Sequence, residues 1–269
     1  MNETTGKAPF IIDAHTHTGY PNVFFSPEVS AEQLLARMDK LNILYAVNLV
    51  SMKSLADRQL PELETSRKEF EESGRRIFYC GFFNPNRAEE DLEALRTAAG
   101  WPGFAGIKIH PSFSGVPADD DAYKPVWTFA AEKDLPIVAH TWSVSSYNPA
   151  QKLSTPDRFE KRVREYPQVR FVIGHSGGRT GGRLDAVRMA GEYDNVYMDF
   201  GGDVYDYQYF EKMARDVPHN KVLFGSDYPW LDQRSHLTRV YLSDIPDEFK
   251  QRILRDNALE VYKLEERTC

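Results

Sequence analysis

Eight short apolar runs, each followed by a stretch with helical spacing, constrain the fold of this chain more than any other feature. They begin at Ile11, Ile43, Ile77, Phe104, Pro136, Val169, Val196 and Val222, roughly 26 to 34 residues apart. Ile43 to Val50 (ILYAVNLV) is almost continuously apolar, as a parallel strand covered on both faces is. Between the runs, Ser30 with Gln33 forms a capping-box pattern ahead of Leu34, Leu35, Met38 and Leu41, and Asn86 with Glu89 forms another. Thr155-Pro156 opens a helix reaching about Tyr166, with proline at its first position. Further helices are expected from about Ser54 to Glu72, Tyr123 to Lys133, Leu184 to Glu192, Tyr207 to Val217 and Asp247 to Leu264, and a loop from Tyr20 to Pro27. The expected fold is therefore α/β, a single-domain (β/α)8 TIM barrel over residues 1–269. The competitor is a doubly wound open sheet. It would place a glycine-rich phosphate turn after the first strand, where this chain has Asp13-Ala14-His15-Thr16-His17.

Composition narrows the class of function. The 41% apolar and 27% charged fractions are those of a soluble globular protein. A formal net charge of -7 argues against a nucleic-acid or anionic-membrane partner, and no apolar run is long enough to span a bilayer. Met1 to Pro9 lacks the pattern of a secretory leader. Cys80 and Cys269 make no disulfide framework, so a cytoplasmic setting is expected.

In a barrel of this type the chemistry sits at the C-terminal ends of the strands. Five of the seven histidines fall there: His15 and His17 on the first strand, His110 on the fourth, His140 on the fifth and His175 on the sixth. Lys108 joins His110 on the fourth strand, and Asp227 ends the eighth. Independent structural histidines have no reason to choose one rim, so the pattern points to a shared metal site. His15 and His17 project from the same side of a strand because side chains alternate with a period of two. Imidazole and carboxylate without thiolate suit zinc first, with manganese or iron as alternatives. Such an ion brings the pKa of a bound water toward neutrality, and Asp227 is the acid-base residue placed to exchange its proton.

His15-x-His17, His140 in Ile-Val-Ala-His, His175 in Val-Ile-Gly-His-Ser-Gly-Gly and Asp227 in Gly-Ser-Asp-Tyr-Pro-Trp together resemble the amidohydrolase superfamily. More narrowly, they resemble its amidohydrolase-related branch of TIM-barrel metal-dependent hydrolases, which also includes decarboxylases. The terminal Asn257-Ala258 helix is similar to the one that closes that family. The resemblance implies that His15, His17 and His140 bind one divalent ion, that Asp227 binds or faces it, and that His175 polarises the substrate or steers water. In two-metal relatives a carbamylated strand-four lysine bridges the ions, so a second ion with Lys108 is the alternative.

Lys108, His110, Trp142, Arg179, Tyr228 and Trp230 are the expected substrate-binding residues, with Phe113 and Tyr147 nearby. The glycine-dense segment Ser176 to Arg183 is either an anion site or only a tight turn. Asp13 and Asp199 are further acids near strand ends, and Tyr205, Tyr207 and Tyr209 read as packing or a partner surface. The expected activity is metal-dependent hydrolysis of a small carboxylated or cyclic substrate through an amide, lactone or ester bond. The rivals are a metal-dependent non-oxidative decarboxylase and a non-catalytic metal-binding scaffold. Decarboxylases of this branch often open with a glutamate-containing motif, and this chain has Asp13-Ala14-His15. The expected partner is a small molecule, and an exposed helix face could pair copies into a homo-oligomer.

Overall fold

The computed structural model describes residues 10–19, 29–51 and 59–264. The expected loop from Tyr20 to Pro27, the start of the second helix at Ser54 and the terminal Cys269 lie outside the described residues. The strands are β1 (Ile11–Thr18), β2 (Ile43–Ser51), β3 (Ile77–Phe83), β4 (Phe104–Ile109), β5 (Ile137–His140), β6 (Phe171–Gly174), β7 (Val196–Asp199) and β8 (Val222–Leu223). All pair in parallel in chain order. The helices are α1 (Ala31–Leu41), α2 (Gln59–Glu72), α3 (Ala88–Ala98), α4 (Pro111–Ser114), α5 (Lys124–Lys133), α6 (Glu160–Glu165), α7 (Thr180–Glu192), α8 (Tyr209–Asp216), α9 (Gln233–Leu242), α10 (Asp247–Gln251) and α11 (Asn257–Tyr262). The alternation is that of a (β/α)8 barrel.

Closure comes from the irregular segment after β8. Ala14 N–H donates to Phe224 O at 2.9 Å, Asp227 N–H to His15 O at 2.8 Å, and His17 N–H to Tyr228 O at 2.7 Å. This explains why β8 stops at Leu223 rather than at the expected Gly225: from Phe224 onward the backbone is bonded to β1. A π-helical turn, Arg252–Asp256, joins α10 to α11 and leaves Ile253 O to accept the Phe224 N–H at 2.8 Å. Asn257 Nδ2 donates to His219 O and Val222 O, pinning the start of β8. A Cβ at Gly225 would stand 2.7 Å from His15 Cβ, so only glycine lets the two strands approach here.

The Ser30–Gln33 capping box forms in both directions. The one expected at Asn86 does not. Asn84 instead caps a 3-10 turn, Pro85–Arg87, by accepting from Asn86 N–H, and the Asn86 amide donates to Ser114 O. α7 starts at Thr180, four residues earlier than expected, so half of the glycine-dense segment is helix. α9 was not expected at all. The core between sheet and helices is aromatic: Phe78 packs against Tyr45 and Phe70 with ring centroids 5.3 and 5.2 Å away, and Trp127 against Phe171 at 5.3 Å. Burying each such ring is worth roughly 1.5–3 kcal/mol.

Candidate metal centre

β1 delivers His15 and His17 to the rim, both buried. His15 Nδ1 donates to Asp199 Oδ2 at 2.9 Å, which turns its Nε2 inward, 3.4 Å from Asp227 Oδ1. His17 Nε2 approaches the same oxygen at 3.4 Å, and its ring packs on Trp230 at 4.6 Å. His15 Nε2 and Asp227 Oδ1 are both buried without a hydrogen bond. The ligand atoms of His15, His175 and Asp227 all lie within 4.8 Å of one another.

His175 and Asp227 stand just past the ends of β6 and β8, in left-handed backbone with φ 60° and 62°. This conformation costs a non-glycine residue on the order of 1–2 kcal/mol and survives only where surrounding bonds enforce it. Asp199 enforces it at His175. Its Oδ1 accepts from His175 N–H at 3.1 Å and Gly201 N–H at 3.0 Å, and Gly201 O accepts from His175 Nδ1 at 2.9 Å. Ser176, also left-handed, donates to Asp199 O and accepts from Tyr209 OH, both at 2.6 Å. The Nε2 of His175 then faces the site, 3.1 Å from His140 Nδ1. His140 lies flat on His110, with centroids 3.9 Å apart and planes at 8°, and its Nε2 meets Gln151 Oε1 at 3.2 Å.

The electrostatics follow from burial. Desolvation pulls His15 down to about 4 despite the attraction of Asp199, and lowers His140 and His110 well below the ordinary imidazole value, helped by their neighbouring histidines and Lys108. Burial would raise the carboxyls of Asp199 and Asp227. The surrounding histidines override it, bringing Asp199 down to about 2 and holding Asp227 well below the usual carboxylate range. Lys108, buried on β4, is lowered by desolvation against the pull of Asp199 and Asp227. Asp13 rises to about 7 through burial although Ser226 and Gln233 donate to it.

The other expected residues divide. Trp142 meets His175 edge-on at 5.6 Å, and a Cβ at Gly178 (φ 74°) would strike its ring at 2.6 Å. Trp142 also lines a groove of about 640 Å³ beside the centre, with Tyr147, Lys152, Arg158, Arg179 and Asp185. His110 is committed locally, its Nδ1 accepting from Phe113 N–H at the start of α4. Arg179 pairs with Asp203, and Arg183 with Asp206, so both arginines of the glycine-dense segment already have acids. Tyr228 contributes its carbonyl to barrel closure. Phe113, Tyr147, Tyr205 and Tyr207 are at least half exposed, whereas Tyr209 is buried.

Sequence reading undervalued Asp199 and passed over Gln151. For Asp199 a signal existed, since it ends β7 and the rule that selected the histidines applies to it equally. For Gln151 there was none.

A divalent ion fits this set of side chains. Nitrogen and oxygen donors of His15, His175 and Asp227 converge without a thiolate, and His15 Nε2 and Asp227 Oδ1 are buried with no hydrogen bond between them. The sequence model of the amidohydrolase family (Amidohydro_2) matches residues 12–264. No curated protein sequence matches the chain. Among solved structures it is similar to 2,6-dihydroxybenzoate decarboxylase from Rhizobium, at 14% identity and TM-score 0.73 over 96% of this chain and 100% of that one. It is also similar to an amidohydrolase, described as such without an assigned substrate, from Staphylococcus aureus, at 15% identity and TM-score 0.71 over 94% and 99%. A third is 5-carboxyvanillate decarboxylase from Novosphingobium aromaticivorans with bound manganese, at 15% identity and TM-score 0.73 over 94% and 97%. These likenesses establish the barrel, and the family match over nearly the whole length makes this chain a member of the metal-dependent amidohydrolase family.

Proposed function

We propose that the protein is a metal-dependent hydrolase of a small carboxylated or cyclic substrate, acting on an amide, lactone or ester bond. The observation that carries this reading is the meeting of His15 Nε2 and Asp227 Oδ1. The proton of His15 is spent on Asp199, so two lone-pair atoms face each other at 3.4 Å with no hydrogen between them. Such a pair repels unless a cation joins it. His15, His17, His140 and Asp227 would hold one divalent ion, zinc or manganese, with His175 beside it. When bound, the ion supplies Lewis-acid polarisation and a water acidic enough to attack at neutral pH.

The chain's own groups have separate tasks. Asp13 and Asp199 are consumed by hydrogen bonds from Ser226, Gln233, His15, His175 and Gly201, which leaves Asp227 as the carboxylate at the centre able to take a proton and pass it to the leaving group. His175, with Nδ1–H fixed on Gly201 O, presents Nε2 as an acceptor that orients water. A substrate carboxylate beside Lys108 would restore the charged form that burial disfavours, which makes Lys108 the natural anchor. Trp142 and Trp230 wall the site and exclude bulk water. The test is elemental analysis of protein purified without added metal, followed by assays for a newly formed carboxyl group. His15→Ala is expected to lose the ion and Asp227→Asn to keep it while losing turnover. A fully active Asp227→Asn would defeat the mechanism.

One observation favours a second reading: similar structures include decarboxylases of 2,6-dihydroxybenzoate and 5-carboxyvanillate. In that reaction Asp227 or His175 would protonate carbon, and released carbon dioxide would replace the new carboxyl group as product. Hydrolysis is preferred because the opening motif carries no glutamate, and its Asp13 is turned to Ser226 and Gln233.

A further inference from the structure

Two histidines at the centre have one ring nitrogen occupied by an outer partner. For His15 that partner is Asp199, and for His175 it is Gly201 O. His140 follows the same rule through a residue far from any motif. Its Nε2 lies 3.2 Å from Gln151 Oε1, and the same oxygen accepts from Ser154 Oγ at 3.2 Å. Gln151 is 7% exposed, on the short 3-10 helix Pro149–Leu153, and the tie of Trp142 N–H to Ser154 O anchors this segment to the end of β5. An amide oxygen already engaged by a hydroxyl can only accept, so His140 must place its proton on Nε2. Its Nδ1 lone pair then faces the Nε2 lone pair of His175 at 3.1 Å. This is a second meeting of acceptors, matching the one between His15 and Asp227. The His110 ring, parallel at 3.9 Å, fixes the plane in which this happens.

We infer that Gln151 is a positioning residue that fixes the tautomer of His140, leaving Nδ1 as its ligand atom. The inference rests on the reading of His140 as a metal ligand, yet the proton position can be observed without any ion. Outer partners of this kind typically govern metal affinity about 10- to 100-fold.

The experiment is nitrogen-15 NMR of histidine-labelled full-length protein, metal-free and zinc-loaded, with zinc affinity measured alongside. Wild type should show His140 protonated at Nε2 without metal and zinc bound through Nδ1. Gln151→Leu, which removes the acceptor, should lose the single tautomer and bind zinc at least about tenfold more weakly. Gln151→Glu, which keeps acceptor oxygens, should retain both properties. A wild-type His140 protonated at Nδ1 overturns the inference whether or not the leucine variant folds, and so does a leucine variant with unchanged tautomer and affinity. If wild type binds no zinc, the proposed function falls, while the metal-free spectra still decide what Gln151 does to His140.

Discussion

The two halves of the barrel are built differently. β1 to β4 run 8, 9, 7 and 6 residues, and their site residues His15, His17 and Lys108 lie within the strands. β5 to β8 run only 4, 4, 4 and 2 residues. Their site residues stand at the last strand position or just past it, and His175 and Asp227 occupy backbone that L-residues avoid. One half carries its candidate ligands inside strands, with β1 shifting register against β2 on either side of Thr16, between the two histidines. The other aims them by bending the chain and holding the bend with side-chain bonds, so strain collects where the proposed proton transfer takes place.

This contrast can be broken at graded cost. Asp227→Asn strikes the strained half at its reacting atom, and turnover should fall about 10²- to 10⁴-fold with metal content unchanged in elemental analysis. Phe78→Ala strikes the regular half in its outer core. It should cost about 3–5 kcal/mol in chemical denaturation while activity per folded molecule stays the same. If that variant lost activity in proportion to stability, the halves would not be separable. Asp199→Asn touches both, releasing the ring of His15 and the turn at His175 together, and zinc affinity should drop about 10- to 100-fold in a competition titration. The smallest effect is expected from Tyr209→Phe, which removes the donor to Ser176. A loss of about 1 kcal/mol in thermal denaturation would show that this bond supports the left-handed turn. No change would assign that task to Asp199 alone.

The same contrast explains what could be read from the sequence. Period and run length reveal a regular ladder, so the strands of the first half were expected nearly where they lie. β8 was drawn too long because Phe224 and Gly225 continue an apolar pattern while their backbone bonds to β1 and the C-terminal helix. α9 escaped because its buried face is Gln233, His236, Leu237 and Val240, half polar and without an apolar stripe. The candidate ligands were legible because histidine is rare and recurs at strand ends. Their partners were not: Asp199 meets His15 across 184 residues, and Gly201 acts through a carbonyl that every residue type carries. Among the described residues, no helix is long and apolar enough to cross a membrane.

Barrel closure has a consequence for the order in which the site comes into being. Asp13, two positions before His15, takes its hydrogen bonds from Ser226 and Gln233, 213 and 220 residues downstream. Phe224, which holds Ala14, itself hangs on Ile253. Within this chain the strand that carries His15 and His17 is therefore made before the segments that hold it and is fixed in place only after them. Until residues 224–253 are in place, these two histidines lie on an unpaired sheet edge, and the proposed capture of a metal ion waits on barrel closure.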